Sequence, residues 1–134
     1  MIALDRDVLV KLRNSNQAVI DHLQQYSTEE WTLPAHVAWE SFQYHTSRAE
    51  RRQEQRRLRS TFDRILSFTD DTAIEASYLD DKLQSQDVVL DAVDLFTLAT
   101  VYTEGGTFVT HNKRDVDEGP VHSLADVDVV HTAE

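Results

Sequence analysis

Cysteine is absent from the 134-residue chain, which excludes a disulfide framework, a thiolate metal site and a cysteine nucleophile together. Any metal must therefore be held by oxygen or imidazole. Glycine and proline are scarce, at 3 and 2 residues, and this argues against disordered, collagen-like and turn-rich all-β chains. No stretch approaches the roughly 20 consecutive apolar residues of a membrane helix. The opening Met1 to Asp7 also lacks the basic-then-apolar pattern of a secretory leader. The expectation is a soluble cytoplasmic protein with no membrane partner. Hydrophobic residues make up 40% of the sequence, enough for one ordinary core and hence a single domain over residues 1–134.

Basic residues are also few: 13 against 24 acids, for a net charge of −11. Such a chain should repel nucleic acid, because phosphate binding is driven by Lys and Arg releasing counterions. The charge is uneven, however. Residues 48–64 hold seven arginines against three acids, a local charge of +4, so the rest of the chain carries −15. The acidic, Lys-poor remainder resembles the surface style of proteins from salt-loving organisms.

What is present alternates between strand and helix signals. Ile2-Ala3-Leu4 reads as a short buried strand ending in Asp5, with Asp7 or a neighbour starting a helix. Asn14 or Ser15 suits the cap of a second helix carrying Val19 and Leu23, and Trp31-Thr32-Leu33 reads as a strand. Pro34 fits the first turn of a helix with Val37, Ala38 and Phe42 on one face. Residues 48–66 predict an exposed, Arg-rich helical arm with a thin apolar stripe. Thr69 to Thr72 supplies capping residues for a further helix, and another runs from Asp91 to Glu104, stopped by Gly105-Gly106. Thr107 to Thr110 and Val127 to Val130 read as strands, the last at an edge. This order predicts an α/β sandwich with a mainly parallel central sheet flanked by helices, binding ligands at the carboxyl ends of its strands.

Four acids stand where such a sheet brings side chains together: Asp5 after the first strand, Glu40 within a helix, Asp94 at the start of a nearly apolar helix and Asp115 after the Thr107 to Thr110 strand. Converging carboxylates repel unless a cation neutralises them, and hard oxygen donors favour Mg²⁺ or Mn²⁺. Taken singly, most acids in so acidic a chain are solvated surface. Glu40 and Asp94 stand apart because their neighbours are apolar, and Asp5 because of its position. No two of the six histidines have the helical spacing of a zinc protease. The arginines read equally as an RNA phosphate track, with Arg51, Arg52, Arg56 and Arg57 as contacts, or as a solvated helix pairing Glu50 and Glu54 locally.

The opening Ile2-Ala3-Leu4-Asp5 and the segment from Asp94 to Asp115, with Thr110-His111-Asn112 inside it, resemble the motifs of PIN domains, most of all the VapC toxins of toxin–antitoxin pairs. The resemblance implies a three-layer PIN-like fold and a Mg²⁺-dependent endoribonuclease with Asp5, Glu40, Asp94 and Asp115 as its metal-binding acids. Thr110 and Asn112 match the polar residues supporting that centre, and Asp7 adds charge beside it. An RNA substrate, a cognate antitoxin and a homodimer follow from the same resemblance. One departure stands out: Arg6-Asp7 replaces the usual Thr-Asn after the first acid. Two rivals share these residues. Asp5-Arg6-Asp7 also resembles the first motif of haloacid-dehalogenase-like phosphatases, although only 24 residues follow Thr110, without a further strand ending in an acidic pair. The other is a catalytically inert PIN-like binding module.

Overall fold

The computed structural model describes residues 1–111 and 116–132. Among these residues five short strands, β1 (Ile2–Leu4), β2 (Trp31–Pro34), β3 (Arg64–Leu66), β4 (Thr107–Thr110) and β5 (Val127–Val129), form one sheet in the order β3-β2-β1-β4-β5, parallel throughout. The helices are α1 (Arg6–Arg13), α2 (Gln17–Leu23), α3 (Ala35–Phe42), α4 (Arg48–Thr61), α5 (Asp70–Gln84), α6 (Ala92–Thr103) and α7 (Gly119–Leu124).

Side chains alternate along a strand, so each one feeds two cores. Ile2, Leu4, Leu33 and Val109 pack with α1 to α4 through Val8, Val19, Val37 and Leu58. Ala3, Leu66 and Phe108 point the other way, onto α5 to α7 through Leu79, Leu98 and Val121. Helix, sheet and helix thus make three layers, as the sequence pattern implies. The central strand β1 lies between β2 and β4, with Ile2 opposite both Trp31 and Thr107.

Several boundaries differ from the sequence reading. The cap of α2 is Asn16, whose side chain accepts the Val19 amide at 3.2 Å. Ser15 instead turns the chain at φ +57°. Pro34 closes β2 and caps α3 rather than lying in its first turn. Residues 48–66 do not form one exposed arm. The helix ends at Thr61, residues 64–66 join the sheet as β3, and Glu54, Leu58 and Phe62 are buried. Other expectations hold. Thr69 and Thr72 cap α5 reciprocally, Gly105 at φ +71° ends α6, and β5 lies at the sheet edge.

Candidate active site

The carboxyl ends of β1 and β4 adjoin, and this places the first acid. Asp5 follows β1, donates its amide to Val109 O at 3.0 Å, and caps α1 by accepting the Arg6 amide at 2.7 Å. Its second carboxylate oxygen accepts the hydroxyl of Thr110, a fully buried residue of β4, at 2.7 Å. Both oxygens are thereby fixed, and Thr110 supports Asp5 directly. Burial pushes the Asp5 carboxyl above its ordinary range and the Asp7 charge adds to this, against the hydrogen bonds from Thr110 and Arg6.

Glu40 rises from the second turn of α3, half-buried among apolar helix neighbours. Its carboxyl is also pushed up, first by burial and then by the charge of Asp5, with Asp7 and Asp91 adding and Arg6 opposing. Asp5 and Glu40 therefore feel each other across the space between α1 and α3. Asp91, which sequence reasoning treated only as a helix boundary, caps α6 by accepting the Asp94 amide at 2.9 Å. Its field at Glu40 brings the start of α6 into the same acidic neighbourhood. Asp94 is half-buried in the first turn of that helix. Asp7 is exposed on α1 and contributes repulsion rather than a hydrogen bond to Asp5.

Asn112 and Asp115 lie outside the described residues. Among the described residues, no three of His, Asp and Glu approach closely enough to enclose a metal ion. The chemistry of the donors present nevertheless suits a hard divalent cation. Asp5 and Glu40 offer oxygen alone, and the charge of Asp5 disfavours that of Glu40. Asp5, Glu40 and Asp94 are the described residues that would hold it.

Beside Glu40 opens a cleft of about 190 Å³ lined also by Arg6, Gln43 and Tyr44. The Arg6 guanidinium lies over the Tyr44 ring at 4.9 Å. Gln43 carried no sequence signal for this place, whereas Tyr44, just past the end of α3, was one of the aromatics that the sequence offered for base stacking. Of the arginines expected on an RNA track, Arg51 and Arg52 line concavities with Phe42. Arg56 and Arg57 are exposed and line neither concavity, and Arg57 stands 3.7 Å from Glu54.

The family model for the PIN domain matches residues 2–118. A search of curated proteins finds no match. Similar solved structures include VapBC2 from Rickettsia felis, bound to a DNA fragment from its promoter (14% identity, TM-score 0.72, 96% of this chain and 98% of that one). FitAcB from Neisseria gonorrhoeae is similar at 20% identity and TM-score 0.72, over 95% and 96% of the two chains. A toxin–antitoxin complex from Klebsiella pneumoniae is similar at 16% identity and TM-score 0.72, over 99% and 100%.

Proposed function

The chain belongs to the PIN-domain family, and from that premise we propose that it is a metal-dependent endoribonuclease acting as the toxin of a toxin–antitoxin pair. One observation carries the reading: Asp5, fixed by Thr110 at the meeting of β1 and β4, and Glu40 are two partly buried carboxylates, and the charge of Asp5 adds to burial in raising the proton affinity of Glu40. A chain gains no stability from holding them together. The cost is understandable if a cation is to be bound there.

Mg²⁺ or Mn²⁺, when bound, would supply an ionised water and neutralise charge on the phosphodiester. The chain's own part is positional. Thr110 holds one oxygen of Asp5 and the Arg6 amide holds the other, so the carboxylate cannot rotate. Glu40 and Asp94 complete the described donors, with Asp115 proposed as a fourth. Hydrolysis of this kind leaves a 5′-phosphate and a 3′-hydroxyl.

The chain's similarity to toxins solved with their partners supports a cognate antitoxin. An open apolar concavity of about 430 Å³ between α3 and α6, walled by His36, Trp39, Val93 and Phe96, supports association with a second copy. A cytoplasmic setting follows from an RNA target, and no described helix is long and apolar enough to cross a membrane. The phosphatase reading has no observation in its favour.

The test is to incubate the protein with cellular RNA in Mg²⁺ or Mn²⁺ and map the product ends. Discrete fragments with 5′-phosphates, absent in EDTA, support the proposal. Persistent intact RNA with a folded, metal-loaded protein removes it.

A further inference from the structure

Arg6 stands between Asp5 and Asp7 in sequence, and its half-buried side chain lines the same cleft as Glu40. Its charge opposes the rise in proton affinity of both Asp5 and Glu40, whereas the charge of Asp7 reinforces both. One guanidinium therefore acts on two carboxylates from different elements, one following β1 and one on α3.

It acts on them through its charge alone. No ion pair joins Arg6 to a described residue, and its Nε is buried without a hydrogen-bond partner. The guanidinium lies instead over the ring of Tyr44, 4.9 Å from its centre, just past the end of α3. A ring face attracts a cation without engaging its N–H groups as a carboxylate would. Glu40 thus keeps its oxygens clear of Arg6 while feeling its charge. A buried N–H with no acceptor is unfavourable in itself, so the place of Arg6 is not explained by its own hydrogen bonding. The field at the two carboxylates explains it.

We propose that Arg6, held on the Tyr44 ring, is a resident counter-charge of the acid centre that sets how tightly a divalent cation is held there. Both are positioning residues: Arg6 acts on the carboxylates, and Tyr44 acts on Arg6. Like charges repel, so a divalent cation binds more weakly beside Arg6 than it would at the same carboxylates alone. The ring limits this effect, because it keeps the guanidinium from pairing with Glu40 and taking up the oxygens outright. The inference rests on the reading of Asp5, Glu40 and Asp94 as metal-binding residues and extends it to what limits their affinity.

The test is calorimetric titration of Mn²⁺ into the metal-free protein, without RNA, at several KCl concentrations. Arg6→Gln should bind Mn²⁺ about tenfold more tightly than the parent. Arg6→Lys, which keeps the charge, should stay close to the parent. The gain in Arg6→Gln should shrink as KCl rises, because salt screens the charge that was removed. Tyr44→Phe keeps the ring and should bind like the parent. Tyr44→Ala frees the guanidinium to pair with Glu40 and should weaken binding about three- to tenfold. Combining Tyr44→Ala with Arg6→Gln should restore the affinity of Arg6→Gln alone. Arg56→Gln removes an exposed charge on α4 and should leave binding unchanged, and thermal unfolding of each variant checks its fold.

Unchanged or weaker Mn²⁺ binding by a folded Arg6→Gln protein would overturn the inference and leave Arg6 as a wall of the cleft, since losing part of a wall loosens a site. An equal gain in Arg56→Gln would overturn it as well, because the effect would then belong to net charge. Parent-like binding by Tyr44→Ala would overturn the role given to the ring. A parent that shows no saturable Mn²⁺ binding sensitive to Asp94→Asn would sink the metal-centre reading and this inference with it. A parent that binds Mn²⁺ in that way, with no gain in Arg6→Gln, would sink this inference alone.

Discussion

Arg13 of α1 and Glu54 of α4, 41 residues apart in sequence, meet in a two-point ion pair with nitrogen–oxygen distances of 3.0 and 2.9 Å. Glu54 is 3% exposed and is also approached by Ser41 and His45, each at 3.3 Å. Burial alone would push its carboxyl up, but the hydrogen bonds from Arg13 and His45 reverse this and hold it below the ordinary range. The pair ties the Arg-rich helix to the helix that Asp5 caps, so α4 and the acid centre keep a fixed relation.

Removing one partner leaves a buried charge poorly compensated. Arg13→Ala should therefore destabilise the protein by about 2–4 kcal/mol, measured by urea unfolding near neutral pH. Because the folded pKa of Glu54 is depressed, its contribution is fully present above the unfolded value and is lost as pH falls through the folded one. The stability difference between the parent and Glu54→Gln should shrink on acidification below the ordinary glutamate range.

Asp5 behaves in the opposite sense. Its raised pKa means that the folded state binds the proton more tightly, so the stability of the metal-free protein falls as pH rises from the ordinary aspartate value through the folded one. Asn keeps one oxygen to accept the Arg6 amide as a helix cap, and its NH2 can donate to the Thr110 hydroxyl oxygen in place of the second carboxylate oxygen. Asp5→Asn should therefore stabilise the metal-free protein at neutral pH by about 0.5–2 kcal/mol while abolishing cleavage. Thermal unfolding with EDTA reads the first effect. A clear loss of stability would contradict the account of Asp5 as a strained carboxylate.

Thr110 opposes the rise in the Asp5 proton affinity by donating to its carboxylate. In Thr110→Val the shape remains and the donor goes, so the Asp5 carboxyl should move further up. Cleavage should fall about 10- to 100-fold, and the acidic limb of the pH–rate profile should shift to higher pH. A reduced rate with an unmoved limb would mean that Thr110 acts only through packing.

Asp128 accepts hydrogen bonds from Tyr26 and His22, the latter at 2.7 Å, and joins the edge strand β5 to α2 and the segment after it. The burial of the Tyr26 phenol and then its bond to Asp128 hold its pKa far above the ordinary value. Asp128→Ala should cost about 1–3 kcal/mol and raise hydrogen exchange in β5 more than in β1.

The sequence reading succeeded where local signals agreed. Helix α6 has an acidic cap at Asp91, an apolar body and a terminating Gly105, and β1 and β4 are apolar runs beside Asp5 and Thr110. It failed where distant residues decide. Glu54 reads as solvated until Arg13 folds against it, and Arg64-Ile65-Leu66 becomes a strand only because β2 offers it a partner. Helix α7, which Gly119-Pro120 opens, is missing from the sequence reading, although proline suits the first helical positions. The acid centre was legible as residue types. The repulsion between Asp5 and Glu40, the field of Asp91 and the Arg6–Tyr44 contact were not, because each depends on how α1, α3 and α6 are set against one another.

The most direct test compares RNA cleavage by the parent, Asp5→Asn, Glu40→Gln and Asp94→Asn in Mg²⁺ or Mn²⁺, with EDTA as control and matched circular dichroism spectra. The acid centre predicts discrete metal-dependent fragments from the parent and a loss of at least about 100-fold in each variant. Parent-like cleavage by a folded Asp5→Asn protein would contradict it.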